Sequence, residues 1–179
     1  MKNSKKALKI DYLKDMDLGN FRSYTEAVCN SNSNDLYRIR KRARELFQFI
    51  KMADPFIQKH TEAVCAVCTG VCCMNKHAYY EHEDIIYILS LGLETPVFGN
   101  SGVDSDPCQF MGSHGCTVSR PLRPYRCTWF FCTPLLASMH NDSAVVYRKF
   151  IGSLEEMTRK RKDMLNAFIE LVQKNKQPT

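Results

Sequence analysis

The sequence predicts a mainly α-helical fold in which an irregular, cysteine-rich metal-binding centre is packed between an N-terminal helix and a long C-terminal helix. Three observations carry that expectation. Apolar residues recur at helical spacing on either side of the middle of the chain. Prolines and glycines punctuate the middle itself. Eight of the nine cysteines fall between Cys65 and Cys132, where burial alone would scatter these small hydrophobes. At 179 residues, 44% hydrophobic and 25% charged, the chain has the size and composition of one ordinary globular domain. It divides into a polar, partly ordered N-terminal segment over 1–33 and a single helical domain over 34–179, which contains the cysteine region 65–132.

The start, MKNSKKALKIDYLKD, is basic but has neither an apolar stretch nor a small-residue cleavage site, so no secretory signal is expected. No apolar run approaches the roughly 20 residues of a membrane helix. A cytoplasmic location and no membrane partner follow as expectations. A short helix is expected over 24–29, before the turn-rich run Asn30-Ser-Asn-Ser-Asn34. Asn34 or Asp35 then caps a helix expected to reach Ala53 and stop at Asp54-Pro55. Its apolar sector is Leu36, Ile39, Ala43, Leu46, Phe47 and Ile50. Arg38, Arg40, Lys41, Arg42 and Arg44 lie opposite and read as its solvated face rather than a nucleic-acid patch. A further turn over 56–64 delivers the chain to Cys65.

Beyond the first cysteines, Glu81-His-Glu-Asp opens a helix with acids in its first turn, and Gly92 ends it. Residues 94–107, with Pro96, Gly99, Gly102 and Pro107, form a loop. At most a small hairpin is expected around Gly112-Ser-His-Gly115. Two prolines keep Arg120-Pro-Leu-Arg-Pro from starting a helix. From Tyr125 a helix is expected to bring Cys127 and Cys132 near one face, with Trp129, Phe130 and Phe131 walling the site from water. A brief helix over 134–140 leads to Asn141-Asp-Ser, which caps a long helix to about Lys174. Its stripe runs from Tyr147, Phe150 and Leu154 through Met157 and Met164 to Phe168 and Val172. Arg161 sits inside that stripe, either snorkelling at its edge or reaching a carboxylate or the sulfurs.

The candidate metal ligands are Cys65, Cys68, Cys72, Cys73, Cys108, Cys116, Cys127 and Cys132. Thiolates are soft donors that select zinc or iron–sulfur clusters over hard cations. The Cys65-x-x-Cys68 step lets two sulfurs from one turn meet one ion. Adjacent Cys72 and Cys73 diverge by about 100° in a helix, so they are expected to serve different groups. That would stitch two four-sulfur sites together, or one cluster and its neighbouring site. The expected cofactor is therefore zinc or iron, the latter as an ion or a cluster. His77 and His114 could each replace a thiol, and Cys29 reads as a buried hydrophobe. In an oxidising compartment the same cysteines would read as disulfides.

The run CTGVCC, followed by CQF, Gly115-Cys116, Arg123-Pro124-x-x-Cys127 and a closing Cys132, resembles the YkgJ-type CxxCxxCC cysteine-cluster family, described as a zinc- or iron-chelating domain. The resemblance covers about 65–132, with three residues between Cys68 and Cys72 where the family's signature has two. It implies metal binding. Through a flagellin lysine methylase with a similar cluster, it also implies an alternative in iron–sulfur-dependent protein modification or electron transfer.

The formal charge of +6 counts every thiol as neutral. Two tetrathiolate sites of about −2 each would bring it to roughly +2. The basic excess is then largely compensation, with Arg120, Arg123 and Arg126 placed to hydrogen-bond the sulfurs. A nucleic-acid partner is disfavoured, although Arg38 to Arg44 leave room for a zinc-supported adaptor of nucleic acid or protein. No nucleophile elbow, phosphate loop, dinucleotide fingerprint or His-Glu-x-x-His is present. Nothing in the residues themselves therefore points to an enzyme.

Overall fold

The computed structural model describes residues 16–31, 34–68, 72–75, 78–99, 106–113 and 115–176. Helix α1 spans Leu18–Cys29, six residues earlier than expected. Asp17 accepts from the Gly19 and Asn20 amides, both at 3.0 Å, which caps it. Phe21 anchors it at 0% exposure, edge-on to the His82 ring at 4.4 Å between centroids. The segment up to residue 33 is thus part of the core where it is described.

Helix α2 spans Asn34–Cys65 and carries Pro55 inside it, so the stop expected at Asp54-Pro55 does not occur. A proline inside a helix costs ~3 kcal/mol. Here the ring is exposed, while Ile50, Ala53, Ile57 and His60 continue one buried face past it. Full burial of an isoleucine is worth about 1.5–3 kcal/mol, so Ile57 together with the hydrogen bonds of His60 offsets the proline.

Helix α3 is the single turn Cys72–Asn75, and α4 spans His82–Ser90. Every residue of α4 from Asp84 on is buried. Asp84 accepts from the Glu81 amide at 3.1 Å, which pins the start of the helix. At its end the Gly92 amide donates to the Leu89 carbonyl (2.9 Å) and the Leu93 amide to that of Ile88 (3.3 Å), with Gly92 at φ +75°. This is a Schellman close that needs the left-handed conformation. A Cβ at Gly92 would meet nothing within 4 Å, so strain alone sets its cost. Gly92→Ala is expected to lose about 1–2 kcal/mol, read as a lower urea midpoint with unchanged slope.

Strands β1 (Met111–Gly112) and β2 (Gly115–Cys116) pair antiparallel, with Met111 opposite Cys116. A 3-10 turn follows at Arg120–Leu122, then α5 (Arg126–Trp129), α6 (Thr133–His140) and α7 (Ala144–Lys176). Ser143 caps α7 by accepting from the Val146 amide at 3.3 Å. Helices α2 and α7 pack antiparallel along their length. Lys174 meets Asp35 (2.7 Å), Lys160 meets Glu45, and Lys59 meets Asp142 (2.6 Å), while Arg42 donates to the Asp163 carbonyl at 2.6 Å. Ile39, Leu46 and Ile50 share the core with Met157, Met164 and Phe168.

The two long helices therefore bury their stripes directly against each other. The cysteine region is not sandwiched between them but begins where α2 ends, at Cys65. Among the described residues, no helix is long and apolar enough to cross a membrane.

Candidate metal centre

Each candidate thiol is placed by a local device. Cys65 closes α2, and the Cys68 amide turns back onto its carbonyl at 3.3 Å. Cys72 and Cys73 occupy α3, and the Cys73 carbonyl accepts from the Cys108 amide at 2.6 Å. That bond ties the first cysteine group to the second. The Met111 amide returns to the Cys108 carbonyl at 2.8 Å, and the hairpin then sets Cys116 opposite Met111. Cys127 sits in α5 with its amide on the Pro124 carbonyl at 2.8 Å.

After α5 the chain turns extended at Phe130, and Cys132 stands at the head of α6. Cys127 and Cys132 are therefore not on one helical face. Trp129, at 51% exposure, walls nothing off, and Phe131 packs instead on Phe150. Helix α5 ends at Trp129, and Pro134 in the first turn of α6 favours a fresh helix start there over a continuous one.

Electrostatic influence links the eight thiols. Cys65 is acted on by Cys132, Cys68 and Cys72. Cys73 is acted on first by Cys108 and Cys116, then by Cys72 and Cys65. Cys127 is acted on by Cys116, Cys108 and Cys73. Cys73 thus feels thiols of both sequence groups, and through it all eight are linked in one region. No disulfide joins any of the nine cysteines. Among the described residues, no three His, Cys, Asp or Glu side chains are gathered closely enough to hold an ion. The thiols are neighbours without being closed around a centre.

Burial, followed by the other thiols, pushes the pKa of Cys65 and of Cys73 up, although Cys73 as a residue is exposed. The same causes push Cys127 up to about 12. These three are neutral thiols at pH 7, and a metal must displace their protons to bind. Cys29 is a core residue at 4% exposure, and burial raises its pKa as well. His77 and His114 lie outside the described residues.

The arginines divide. Arg120, at 4% exposure, pairs through Nε with Asp54, and its Nη2 is buried with no hydrogen-bond partner. Arg120 and Arg123 both interact electrostatically with Cys127, while Arg123 also donates to the Val118 carbonyl at 2.7 Å. Arg126 is exposed and lies over the Phe130 ring at 5.7 Å. An all-sulfur donor set beside a buried guanidinium with an unused donor suits a thiolate-bound metal, because such a group is anionic.

Three further clusters escaped the sequence reading in part. Arg161 does reach a carboxylate, Asp84, at 3.1 Å, and its guanidinium covers the Tyr125 ring at 4.6 Å. Asp54, read as a helix stop, is the partner of Arg120. His60, at 4% exposure, joins Ser138 (2.9 Å) to Asp142 (3.1 Å). A catalytic triad would put the serine on Nε2 and the carboxylate on Nδ1, whereas here Nδ1 faces Ser138 and Nε2 faces Asp142, Lys59 shares the Asp142 oxygen, and burial closes the imidazole to a substrate. The chain of bonds instead locks the end of α2 to the α6–α7 corner. No sequence signal marks it, because its members are 78 and 82 residues apart. No protein-family profile, curated protein or solved structure matches the chain.

Proposed function

We propose that the chain is a cytoplasmic metal-binding protein that holds zinc or iron, the latter as an ion or an iron–sulfur cluster, through Cys65, Cys68, Cys72, Cys73, Cys108, Cys116, Cys127 and Cys132. The observation that carries the reading is that the fold draws eight thiols, distant in sequence, into one region where they act on one another. Four is the ligand number of a closed zinc site and of the common clusters. The resemblance of the cysteine pattern to the YkgJ-type family, one residue longer between Cys68 and Cys72, supports the same reading.

The chemistry required of the protein is modest. It must deliver thiolates, take up their negative charge and keep competing oxidants off the sulfurs. Arg120 and Arg123 serve the second of these needs beside Cys127. The adaptor reading is weakened by the basic run itself. Arg40 is committed to the Cys29 carbonyl at 2.8 Å and Arg42 to that of Asp163, which leaves Arg38, Lys41 and Arg44 outward.

Elemental analysis with an absorption spectrum, on protein purified without oxygen, tests the proposal. About two zinc per chain with no visible colour is expected for two closed zinc sites. Stoichiometric iron with a visible band bleached by dithionite gives the iron–sulfur version, and with it the electron-transfer or protein-modifying alternative. Protein with neither metal overturns the reading.

A further inference from the structure

The carboxylates of α2 as far as Asp54 all turn to cations of other elements: Asp35 to Lys174 (2.7 Å), Glu45 to Lys160 and Asp54 to Arg120. Arg40 and Arg42 are committed as well, to the carbonyls of Cys29 and Asp163. What remains outward is a ridge of six exposed residues, Tyr37, Lys41, Arg44, Gln48, Lys51 and Met52. At about 100° and about 1.5 Å per residue, the six fall within one sector of roughly 100° and span about 22 Å. Arg38 flanks the ridge, 3.7 Å from Asp35.

The ridge carries one sign of charge. Among the described residues Lys41 and Arg44 have no hydrogen-bond or ion-pair partner, and Lys51 lies over the Phe47 ring at 5.8 Å. Like charges one turn apart destabilise a helix, and a face that is merely solvated mixes its signs. The outer side of α7 does so, where Arg159 meets Glu156 (2.6 Å) and Asp163 (3.4 Å). Two large apolar side chains stand at the ends of the α2 ridge, Tyr37 at 65% exposure and Met52 at 69%.

We propose that this ridge is a docking surface for an acidic amphipathic helix of a partner protein, with carboxylates set against Lys41, Arg44 and Lys51 and apolar side chains against Tyr37 and Met52. The inference goes beyond the metal-binding reading and does not rest on it. A partner helix repeats at the same rise per residue, so its i, i+4 and i+7 positions keep step with the ridge over several turns. Complementary charge of this kind speeds encounter and fixes register. A nucleic-acid duplex offers phosphates, which reward the cations but give Tyr37 and Met52 nothing apolar to cover. An anionic membrane would need an apolar helix face to insert, and the apolar face of α2 is already buried against α7.

Fluorescence anisotropy tests this on the full-length chain purified without oxygen. The probe is a labelled synthetic helix of about 20 residues, with glutamates facing Lys41, Arg44 and Lys51 and leucines facing Tyr37 and Met52. A DNA duplex and phosphatidylserine vesicles are measured beside it. Wild-type chain is expected to bind the acidic helix in preference to both. The triple variant Lys41→Glu, Arg44→Glu, Lys51→Glu should bind it about tenfold more weakly or worse. Tyr37→Ala with Met52→Ala should weaken it severalfold while keeping the charges. All five positions are exposed, and circular dichroism checks that both variants fold. The proposal is overturned if wild-type chain ignores the acidic helix, if either variant binds it as tightly as wild type, or if the duplex or the vesicles are preferred.

Discussion

Arg161→Met is expected to lower the free energy of unfolding by about 3–5 kcal/mol at neutral pH, because it strands a buried carboxylate. Asp84 is 3% exposed. It receives the Arg161 Nη2 at 3.1 Å, the Glu81 amide at 3.1 Å and the Tyr125 amide at 3.3 Å. Burial pushes the Asp84 carboxyl above its ordinary range, and these donors pull it back only in part. Because the folded-state pKa is raised, the ionised form is the disfavoured one. The carboxyl's contribution is most favourable below the unfolded pKa of about 3.9 and is lost as pH rises through the folded pKa. Without Arg161 that pKa climbs further.

The penalty in Arg161→Met should therefore shrink on going from pH 7.5 to pH 5. Asp84→Asn combined with Arg161→Met should recover part of it, as coupled partners do. Urea unfolding at the two pH values measures both effects. A penalty that is equal at both, or a double variant no more stable than Arg161→Met, would remove Asp84 as the cause. The pair also joins α7 to α4 and, through Tyr125, to the segment bearing Cys127, so its loss should loosen the cysteine region first.

Removing metal is the second large perturbation. Among the described residues of 65–132, little regular structure lies between α2 and α6 beyond α4, a two-stranded ribbon and single turns. Under the proposed function such a segment draws folding energy from metal binding, as structural zinc supplies about 10–16 kcal/mol in small zinc peptides. A chelator is expected to abolish the cooperative unfolding of this region while the α2–α7 pair keeps its helical signal, which far-ultraviolet circular dichroism with limited proteolysis would resolve.

Cys65, Cys73 and Cys127 carry protons at pH 7, since burial and neighbouring thiols raise all three and Cys127 reaches about 12. Zinc binding should therefore release protons, and apparent affinity should rise by about tenfold per pH unit for each proton displaced. Zinc uptake without acidification of a weakly buffered solution would contradict this.

How much of the molecule could be read in advance follows from the range of the forces involved. The long C-terminal helix and its Ser143 cap, the acid-led helix closed by Gly92, and the small hairpin were legible because capping, left-handed glycine and 3.6-residue periodicity are local. The passage of α2 through Pro55 was not. The local rule is a ~3 kcal/mol penalty, and what overrides it is burial of Ile57 and His60 against elements far along the chain. The early start of α1 was missed although Asp17 before an apolar step is a capping signal, because its anchor Phe21 is held by His82.

By itself the sequence determined that the fold is mainly helical and that eight thiols in the stretch 65–132 are the residues to ask about, since residue type and spacing already fix donor chemistry. Only the tertiary structure decided which thiols act on one another, which carboxylate pairs with Arg120, and which receives Arg161. Those pairings span tens of residues, from Asp54 to Arg120 and from Asp84 to Arg161. They are settled by which stripes pack together, a competition among all the apolar faces of the chain that no local stretch contains.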